Sequence, residues 1–103
     1  MEPAEQIQID VDARITVPEN VVFRHFAAET VILNLATGRY HGLNPSGGAM
    51  LEALQRQGTI RASVPEIAER FAQPEDRIER DMLTLCRDLA ERGLIVSTSG
   101  DGS

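Results

Sequence analysis

The stretch ETVILNLATGRYHGLNP, residues 29–45, predicts the central part of the fold. Its first seven residues have the strongest strand pattern in the chain, because apolar and β-branched side chains dominate them. The Ala-Thr-Gly tripeptide then forms a tight turn, where Gly38 can adopt a positive φ. Residues 39–43 return as the next strand, and Asn44 is a good N-cap for a helix that begins with proline. The stretch therefore predicts a β-hairpin that leads directly into a helix.

The sequence upstream of this stretch adds a strand and an N-terminal arm. Residues 21–26 are rich in β-forming side chains, so residues 21–43 predict a three-stranded antiparallel meander. Residues 1–20 predict a flexible arm, in which alternating apolar side chains allow one short strand before Pro18 interrupts the pattern. The ordered domain is therefore expected to begin at residue 21.

Three helices are predicted downstream of the sheet. The first runs from Asn44 to Gly58, which is a natural C-terminal stop. Residues 63–66 have the pattern of a capping box and predict the start of a short second helix that ends near Ala72. The third and longest helix is predicted to have Pro74 as its first residue. Its apolar stripe, spaced i, i+4, i+7 and i+11, consists of Ile78, Met82, Leu85 and Leu89.

The order of these elements predicts an α+β fold, a winged helix-turn-helix in which a three-stranded antiparallel sheet is followed by three helices. A chain of 103 residues has room for one such domain. The domain is expected to cover residues 21–96, with the apolar residues 94–96 as a final strand or tail. Residues 97–103 are rich in glycine and serine, so they predict a disordered tail.

The charge balance limits the partners of the protein. The chain has 16 acidic and 10 basic residues, a net charge of −6, and every basic residue is an arginine. A protein that neutralises phosphates needs a cationic surface, so nucleic acids and anionic membranes are not expected as partners. No apolar run approaches the roughly 20 residues of a membrane-spanning helix. The acidic start of the chain does not resemble a secretion signal, and we expect a cytoplasmic protein.

Residues with catalytic or metal-binding potential are few. His25 and His41 lie in predicted strands with no carboxylate at a metal-ligand spacing, so they are interpreted as sheet-surface side chains. Cys86 falls beside the apolar stripe of the third helix and is interpreted as a small core residue. Residues 44–48 are glycine-rich but lack the lysine of a phosphate-binding loop. The sequence therefore predicts no catalytic residue, no metal and no cofactor, and the protein is not expected to be an enzyme.

The third predicted strand, Arg39 to Leu43, offers a candidate binding surface. If it lies at the edge of the sheet, its free N–H and C=O groups can pair with a further strand, and only Arg39 and Gly42 would protect it. An extended peptide can bind such an edge by β-augmentation. The periodicity leaves the position of the strand open, and the edge could instead be covered by the N-terminal arm or by a second copy of the chain.

The third predicted helix carries a polar line beside its apolar stripe. A peptide strand between this helix and the third predicted strand would meet backbone groups on one side and the polar line on the other. The apolar rims of Ile78 and Leu85 would flank it. The line has the same spacing as the apolar stripe and consists of Arg77, Asp81, Thr84 and Asp88.

The stretch VILNLATGRYHGLNPSG, residues 31–47, resembles the PqqD-like peptide chaperones, also called precursor-peptide recognition elements of ribosomally made, modified peptides. Their pattern is a hydrophobic strand, a glycine turn, Tyr-x-x-Leu-Asn, a glycine three residues later and an apolar helix. Its positions here are Gly38, Tyr40, Leu43, Asn44, Gly47, Leu51 and Leu54. Residues 79–82, Glu-Arg-Asp-Met, and residues 89–94, Leu-Ala-Glu-Arg-Gly-Leu, agree with the second half of the pattern. The resemblance extends over about residues 20–96.

The resemblance implies a winged helix-turn-helix that binds the leader segment of a precursor peptide. The leader would add as an antiparallel strand to the third strand, in the cleft against the third helix. Asp81 matches the acidic position of the family's helix motif. The implied peptide-binding residues are Arg39, Tyr40, His41, Gly42, Leu43, Arg77, Ile78, Asp81, Thr84, Leu85 and Asp88.

The resemblance further implies that the protein presents the leader to a separate maturation enzyme and performs no reaction itself. A lasso-peptide protease is the favoured partner, because a discrete domain suits a split protease system, and a radical-SAM enzyme is the second candidate. Antibiotic biosynthesis is the expected setting. The helix order would also fit a small winged-helix DNA-binding regulator, although residues 74–92 hold six acids and four arginines. A dimerisation or adaptor module that uses the open edge to form a homodimer is the third interpretation.

Overall fold

The computed structural model describes residues 9–98, which form the α+β winged helix-turn-helix that the sequence predicts. A three-stranded antiparallel sheet packs against three helices, and a second, two-stranded sheet joins the two ends of the described chain. In chain order the elements are β1 (Arg14–Thr16), β2 (Val21–His25), β3 (Thr30–Asn34), β4 (Tyr40–Leu43), α1 (Pro45–Gln57), α2 (Ile60–Phe71), α3 (Glu75–Glu91) and β5 (Val96–Thr98).

The larger sheet has the order β2-β3-β4, so β3 is its central strand. Ile32 lies opposite Phe23 on one side and His41 on the other, and its side chain is buried against the helices. The turn between β3 and β4 forms as predicted, with Gly38 at φ 78°. The Asn34 backbone carbonyl accepts a hydrogen bond from the Gly38 N–H at 2.8 Å, which closes the turn. This turn sets the register of β4, the strand that leads into α1.

Helix α1 crosses β3 at very short distance. The Gly48 backbone lies so close to Thr30 that a Cβ atom at residue 48 would be 2.2 Å from the Thr30 hydroxyl oxygen. Thr30 is buried, and its hydroxyl is 2.7 Å from the His25 Nδ1 atom. Glycine is therefore required at this crossing for space, which offsets its low helix propensity. The N-cap is as predicted, because the Asn44 side chain accepts a hydrogen bond from the Gly47 N–H at 2.8 Å.

The start of α2 differs from the prediction. The helix begins at Ile60, and its N-cap is Thr59, whose hydroxyl accepts a hydrogen bond from the Ala62 N–H at 3.1 Å. Ser63, predicted as the cap, is fully buried inside the helix, where its hydroxyl donates to the Thr59 carbonyl at 2.8 Å. The capping-box prediction is wrong because an earlier threonine already caps the helix through the Ala62 N–H. Pro65 consequently lies within the helix.

Helix α3 begins at Glu75, with Pro74 as its N-cap and not as its first residue. Its buried stripe continues from Met82 to Cys86 and not to Leu85, which is only half-buried. Because successive residues turn by about 100° around a helix, Leu85 falls at the rim of the stripe, on the side of Asp81. The corrected stripe consists of Ile78, Met82, Cys86 and Leu89.

The described part of the predicted flexible arm is ordered. Strand β1 pairs antiparallel with β5, so that Ile15 lies opposite Ser97, and Ile9, Ala13 and Ile15 are buried. An exposed ion pair links the arm to α2, where the Arg61 Nε atom is 2.6 Å from the Asp12 carboxylate. The hydrogen bond from that guanidinium lowers the pKa of Asp12 below its usual value. The remainder of the predicted arm, residues 1–8, lies outside the described residues.

The predicted tail divides in the same way. Residues 97 and 98 belong to β5, whereas residues 99–103 lie outside the described residues. The sequence could not show the β1–β5 pairing, because each strand has only three residues and the two are about 80 positions apart in the chain. Across residues 9–98, no helix has the length and apolar character needed to cross a membrane.

Candidate peptide-binding cleft

Strand β4 is an edge strand. Within residues 9–98 it pairs only with β3, so its second side has no strand partner there. The Asn34 N–H donates to the Arg39 carbonyl at 2.9 Å, which makes these two residues a hydrogen-bonded pair. Because such pairs alternate along antiparallel strands, His41 and Leu43 also direct their backbone groups toward β3. The backbone N–H and C=O groups of Tyr40 and Gly42 therefore point to the open side.

The side chains of the strand divide in the opposite sense. Tyr40 lies on the outer face of the sheet and is 76% exposed. Arg39, His41 and Leu43 alternate with it and face the helices, where Leu43 is buried and His41 half-buried. The five strand residues implied by the sequence thus differ in what they offer. Tyr40 and Gly42 offer backbone groups, and Arg39 and His41 offer side chains to the space beside α3. The Leu43 side chain packs in the core and is not available to a guest.

Helix α3 forms the opposite wall of this space. The His41 Nε2 atom is 4.0 Å from the Asp88 Oδ2 atom, which shows that β4 and the C-terminal half of α3 approach each other closely. Asp88 also accepts a hydrogen bond from the Arg92 guanidinium at 3.2 Å. Thr84 is exposed and Leu85 is half-buried on the same helix. We call the space between β4 and α3 the cleft.

One end of the cleft opens into a cavity of about 460 Å³, which we call the arginine cavity. It lies where β4 begins and α3 ends. Two cationic side chains, Arg39 and Arg92, reach it from opposite walls, and the His41 side chain also lines it. Its lining consists of Asn34, Thr37, Arg39, His41, Arg92 and Leu94. This end therefore combines hydrogen-bond donors with a positive charge, in a chain whose net charge is −6.

The other end opens into a cavity of about 250 Å³, which we call the helix cavity. It lies where β4 passes into α1 and α3 begins. Its apolar side chains are Met50, Phe71 and Ile78, and its charged ones are Arg77 and Asp81, which lie 3.8 Å apart. The complete lining is Ser46, Met50, Phe71, Gln73, Arg77, Ile78 and Asp81. The two ends of the cleft thus differ chemically.

The structure brings most of the implied side chains together and adds others. Arg39 and His41 line the arginine cavity, and Arg77, Ile78 and Asp81 line the helix cavity. Thr84 and Leu85 line neither the arginine cavity nor the helix cavity, although both lie on α3 between the two. Arg92, Leu94, Met50 and Phe71 line the cavities but were not among the implied residues. No sequence signal identifies them, because each reads as a helix end or as ordinary core.

Metal binding and thiol reactivity are two chemical properties of the described residues that bear on function. No group of three or more His, Cys, Asp or Glu side chains in residues 9–98 could hold a metal ion. Cys86 is fully buried in the core, and this burial raises the pKa of its thiol to about 12. A thiol in that state is a poor nucleophile at neutral pH. The cleft itself offers an open backbone edge, a cavity with two arginines, and a second cavity whose lining is partly apolar and partly charged.

A family profile described as "Coenzyme PQQ synthesis protein D (PqqD)" matches residues 29–95. These residues are more than half of the chain and contain β3, β4, all three helices and both walls of the cleft. The chain belongs to the PqqD family. No curated protein matches the chain.

Two solved structures are similar to this one. The structure described as "TbiB1 in Complex with the TbiA(beta) Leader Peptide" is 29% identical, has a TM-score of 0.71, and the match covers 78% of this chain and 93% of that one. The structure described as "Lasso peptide synthetase B1 complexed with the leader peptide" is 18% identical and has a TM-score of 0.74. The match covers 82% of this chain and 99% of that one. The second likeness concerns the fold alone. Both support the expected PqqD-like recognition fold.

Proposed function

We propose that this protein binds the leader segment of a ribosomally made precursor peptide as an additional antiparallel strand on β4, in the cleft against α3. The supporting observation is the open side of β4, where the backbone groups of Tyr40 and Gly42 face a cleft with a second wall. An edge strand without such a role is normally protected by charges, proline or a bulge. TbiB1, a similar protein, has been solved with a leader peptide.

The bound leader would then be presented to a separate maturation enzyme, and this protein would contribute no catalytic residue and no cofactor. We propose a lasso-peptide protease as the first partner to test and a radical-SAM enzyme as the second. The burial of the Cys86 thiol is in keeping with a binding role. Pull-down with one representative of each enzyme class, with and without leader peptide, separates the two partners.

The binding step is tested by titration with peptides. The TbiA(beta) leader, the ligand of the similar structure, is the first probe, and peptides selected from a displayed random library are the second. We expect a dissociation constant in the micromolar range or lower, which corresponds to a binding free energy of about −8 kcal/mol or a more negative value. Failure of the protein to capture any peptide would contradict the proposal. Sedimentation without peptide tests the alternative that a second copy occupies the edge, and duplex DNA serves as a control ligand.

The strand-addition geometry has its own test, which leaves the protein unchanged. Guest residues opposite Tyr40 and Gly42 would form the ladder hydrogen bonds, whereas the residues between them would direct their N–H groups away. N-methylation of single guest amides should therefore weaken binding at every second residue, by about 1–2 kcal/mol each. The intervening methylated peptides are the matched controls. Equal losses at neighbouring residues would exclude strand addition.

A further inference from the structure

We propose that the arginine cavity is a subsite for a carboxylate side chain, so that the guest peptide carries an aspartate or glutamate at the position that meets it. This inference rests on the proposed function, because it assigns a chemical requirement to one end of the same cleft. Its main residue is Arg39, and it also involves Arg92, which the sequence marks only as a helix end.

The first step is the charge of the cavity. Its lining contains two guanidinium groups and an imidazole but no carboxylate. The chain as a whole carries a net charge of −6, so this end of the cleft differs in sign from the average surface. Arginine is the side chain best suited to bind a carboxylate, because its planar group donates two parallel hydrogen bonds. The volume of about 460 Å³ leaves ample room for an acidic side chain.

The second step is the neighbouring carboxylate, Asp88. It accepts hydrogen bonds from Arg92 at 3.2 Å and lies 4.0 Å from His41, so it partly neutralises one wall. Arg39 is on the other wall, and among residues 9–98 its guanidinium forms no ion pair. A carboxylate entering the cavity therefore has Arg39 as its main partner. Arg92 and His41 contribute additional donors, and Asp88 holds Arg92 in place.

The third step is the register. Residues directly opposite each other in a sheet place their side chains on the same face. A guest residue opposite Arg39 or His41 would therefore point into the arginine cavity, whereas one opposite Tyr40 would point to the outer face. The acidic residue must accordingly be one whose amide N–H faces away from β4. N-methylation of this acidic residue should therefore be tolerated, because its N–H forms no ladder hydrogen bond.

The fourth step is the direction of the guest. Strand β4 runs from the arginine cavity toward the helix cavity, so an antiparallel guest would have its C-terminal end at the arginine cavity. The α3 residues that line the two cavities are separated by roughly 13 positions, or about 20 Å along the helix. An extended strand covers this distance in about six residues. The acid is therefore expected about six residues after an apolar side chain that occupies the helix cavity.

The experiment begins with selection of peptides from a displayed random library by the full chain. The selected peptides should share an acidic residue near the C-terminal end of the bound segment. One of them, the acidic peptide, is then synthesised with acetylated and amidated ends, which removes its terminal carboxylate. A matched peptide, the amide peptide, has the same ends but glutamine or asparagine in place of the acid. A second set with a free C-terminus and no acidic side chain tests whether a terminal carboxylate can substitute.

The amide peptide should bind the wild-type protein about fivefold more weakly, the effect of a partly exposed ion pair. The Arg39→Gln variant should bind the acidic and amide peptides with almost equal affinity. The Arg92→Gln variant should show a smaller difference in affinity between the two peptides than the wild-type protein. Arg87→Gln is the charge-matched control, because Arg87 is exposed on α3 but does not line the cavity. High salt should weaken binding of the acidic peptide more than binding of the amide peptide.

The subsite is overturned by selected peptides without a shared acid, by an amide peptide that binds as tightly as the acidic one, or by equal effects of Arg39→Gln and Arg87→Gln. If peptides still bind with the alternating N-methylation pattern in these cases, only the subsite is overturned and the proposed function stands. Capture of no peptide at all would instead overturn the proposed function and the subsite together. If only the free C-terminus binds at the cavity, a side-chain subsite is also excluded.

Discussion

The two faces of α3 show how one helix serves the core and the cleft at once. On the inner face, Met82 and Cys86 are completely buried in the core. On the outer face, only a few positions away along the chain, Asp81 and Thr84 are exposed in the cleft wall. The inner face contributes to stability through burial of apolar surface. The outer face contributes little to stability, so its residues are available for contacts with a partner.

Two glycines repeat the same contrast. A Cβ atom at Gly48 would be 2.2 Å from the Thr30 hydroxyl, deep in the helix–sheet crossing. A Cβ atom at Gly42 would meet only the end of the Glu29 side chain, at 3.0 Å. The first glycine is required by packing, and the second lies on the open edge, where a flexible side chain can move aside. Stability and binding should therefore respond to different substitutions, and five predictions test this separation.

The largest effect is expected for the reactivity of Cys86, the only cysteine in the chain. Since burial raises its pKa from 9.0 to about 12, the thiol of the folded protein should remain protonated and resist iodoacetamide at mildly alkaline pH. Labelling should become rapid only when denaturant unfolds the chain. Mass spectrometry of the labelled protein measures both rates. Fast and complete labelling under native conditions would place the residue outside the core.

The same pKa difference makes stability depend on pH. Above pH 9 the unfolded chain releases the thiol proton and the folded chain retains it, so the folded state binds more protons. The contribution of Cys86 is fully present below pH 9 and is lost between pH 9 and about pH 12, at about 1.4 kcal/mol per unit of pH. The free energy of unfolding of Cys86→Ala, measured with urea across this pH range, should not show this decrease with pH.

The next effect is expected for Gly48→Ala. The new methyl group meets the buried Thr30 hydroxyl, and overpacking of this kind costs about 1–3 kcal/mol despite the better helix propensity of alanine. Urea denaturation measures the loss. The double variant Thr30→Ala/Gly48→Ala should regain part of the loss caused by Gly48→Ala, because it removes the hydroxyl. Equal stability of Gly48→Ala and wild type would mean that the crossing is not tight.

A smaller effect, and on affinity alone, is expected for Gly42→Pro. The Gly42 N–H faces the open side of β4, so proline removes one donor to a guest strand while the pairing with β3 remains. We expect peptide affinity to fall by about 1–2 kcal/mol. Gly42→Ala is the control, since alanine keeps the N–H. If both variants bind a selected peptide equally well, the edge does not form the ladder.

The smallest effect is expected for Asp81→Ala. Asp81 is exposed, lines the helix cavity and lies 3.8 Å from Arg77, a surface pair that adds little to stability. Its loss should leave urea unfolding unchanged and weaken peptide binding by about 1 kcal/mol, if the carboxylate accepts a hydrogen bond from the guest. Glu79→Ala, an exposed acid of α3 outside both cavities, should have no effect. Identical titrations for both variants would remove Asp81 from the binding site.

Much of the fold was predictable because it depends on neighbouring residues. The turn at Gly38, the cap at Asn44 and the stop at Gly58 each arise from hydrogen bonds or dihedral angles within a few residues. Local rules failed where two local signals competed. Thr59 and Ser63 both have capping side chains, and only the packed structure shows that Ser63 is buried within the helix.

The cleft was predictable only in part. The sequence identifies the candidate edge and the polar line on α3, since both follow from the periods of a strand and a helix. It leaves open whether β4 is an edge strand, and it does not place Arg92 opposite Arg39, because those residues are 53 positions apart. The corrected role of Leu85, at the rim and not in the buried stripe, has the same origin.

Hydrogen-bonding chemistry and side-chain periodicity are properties of short segments, so the amino-acid order alone accounts for the strands of the larger sheet, the three helices and the PqqD-like pattern of residues 31–47. The pairing of β1 with β5, the open side of β4 and the meeting of two arginines in one cavity depend on how distant segments pack. Such contacts form only when the hydrophobic core brings the segments together, and a local pattern carries no record of them.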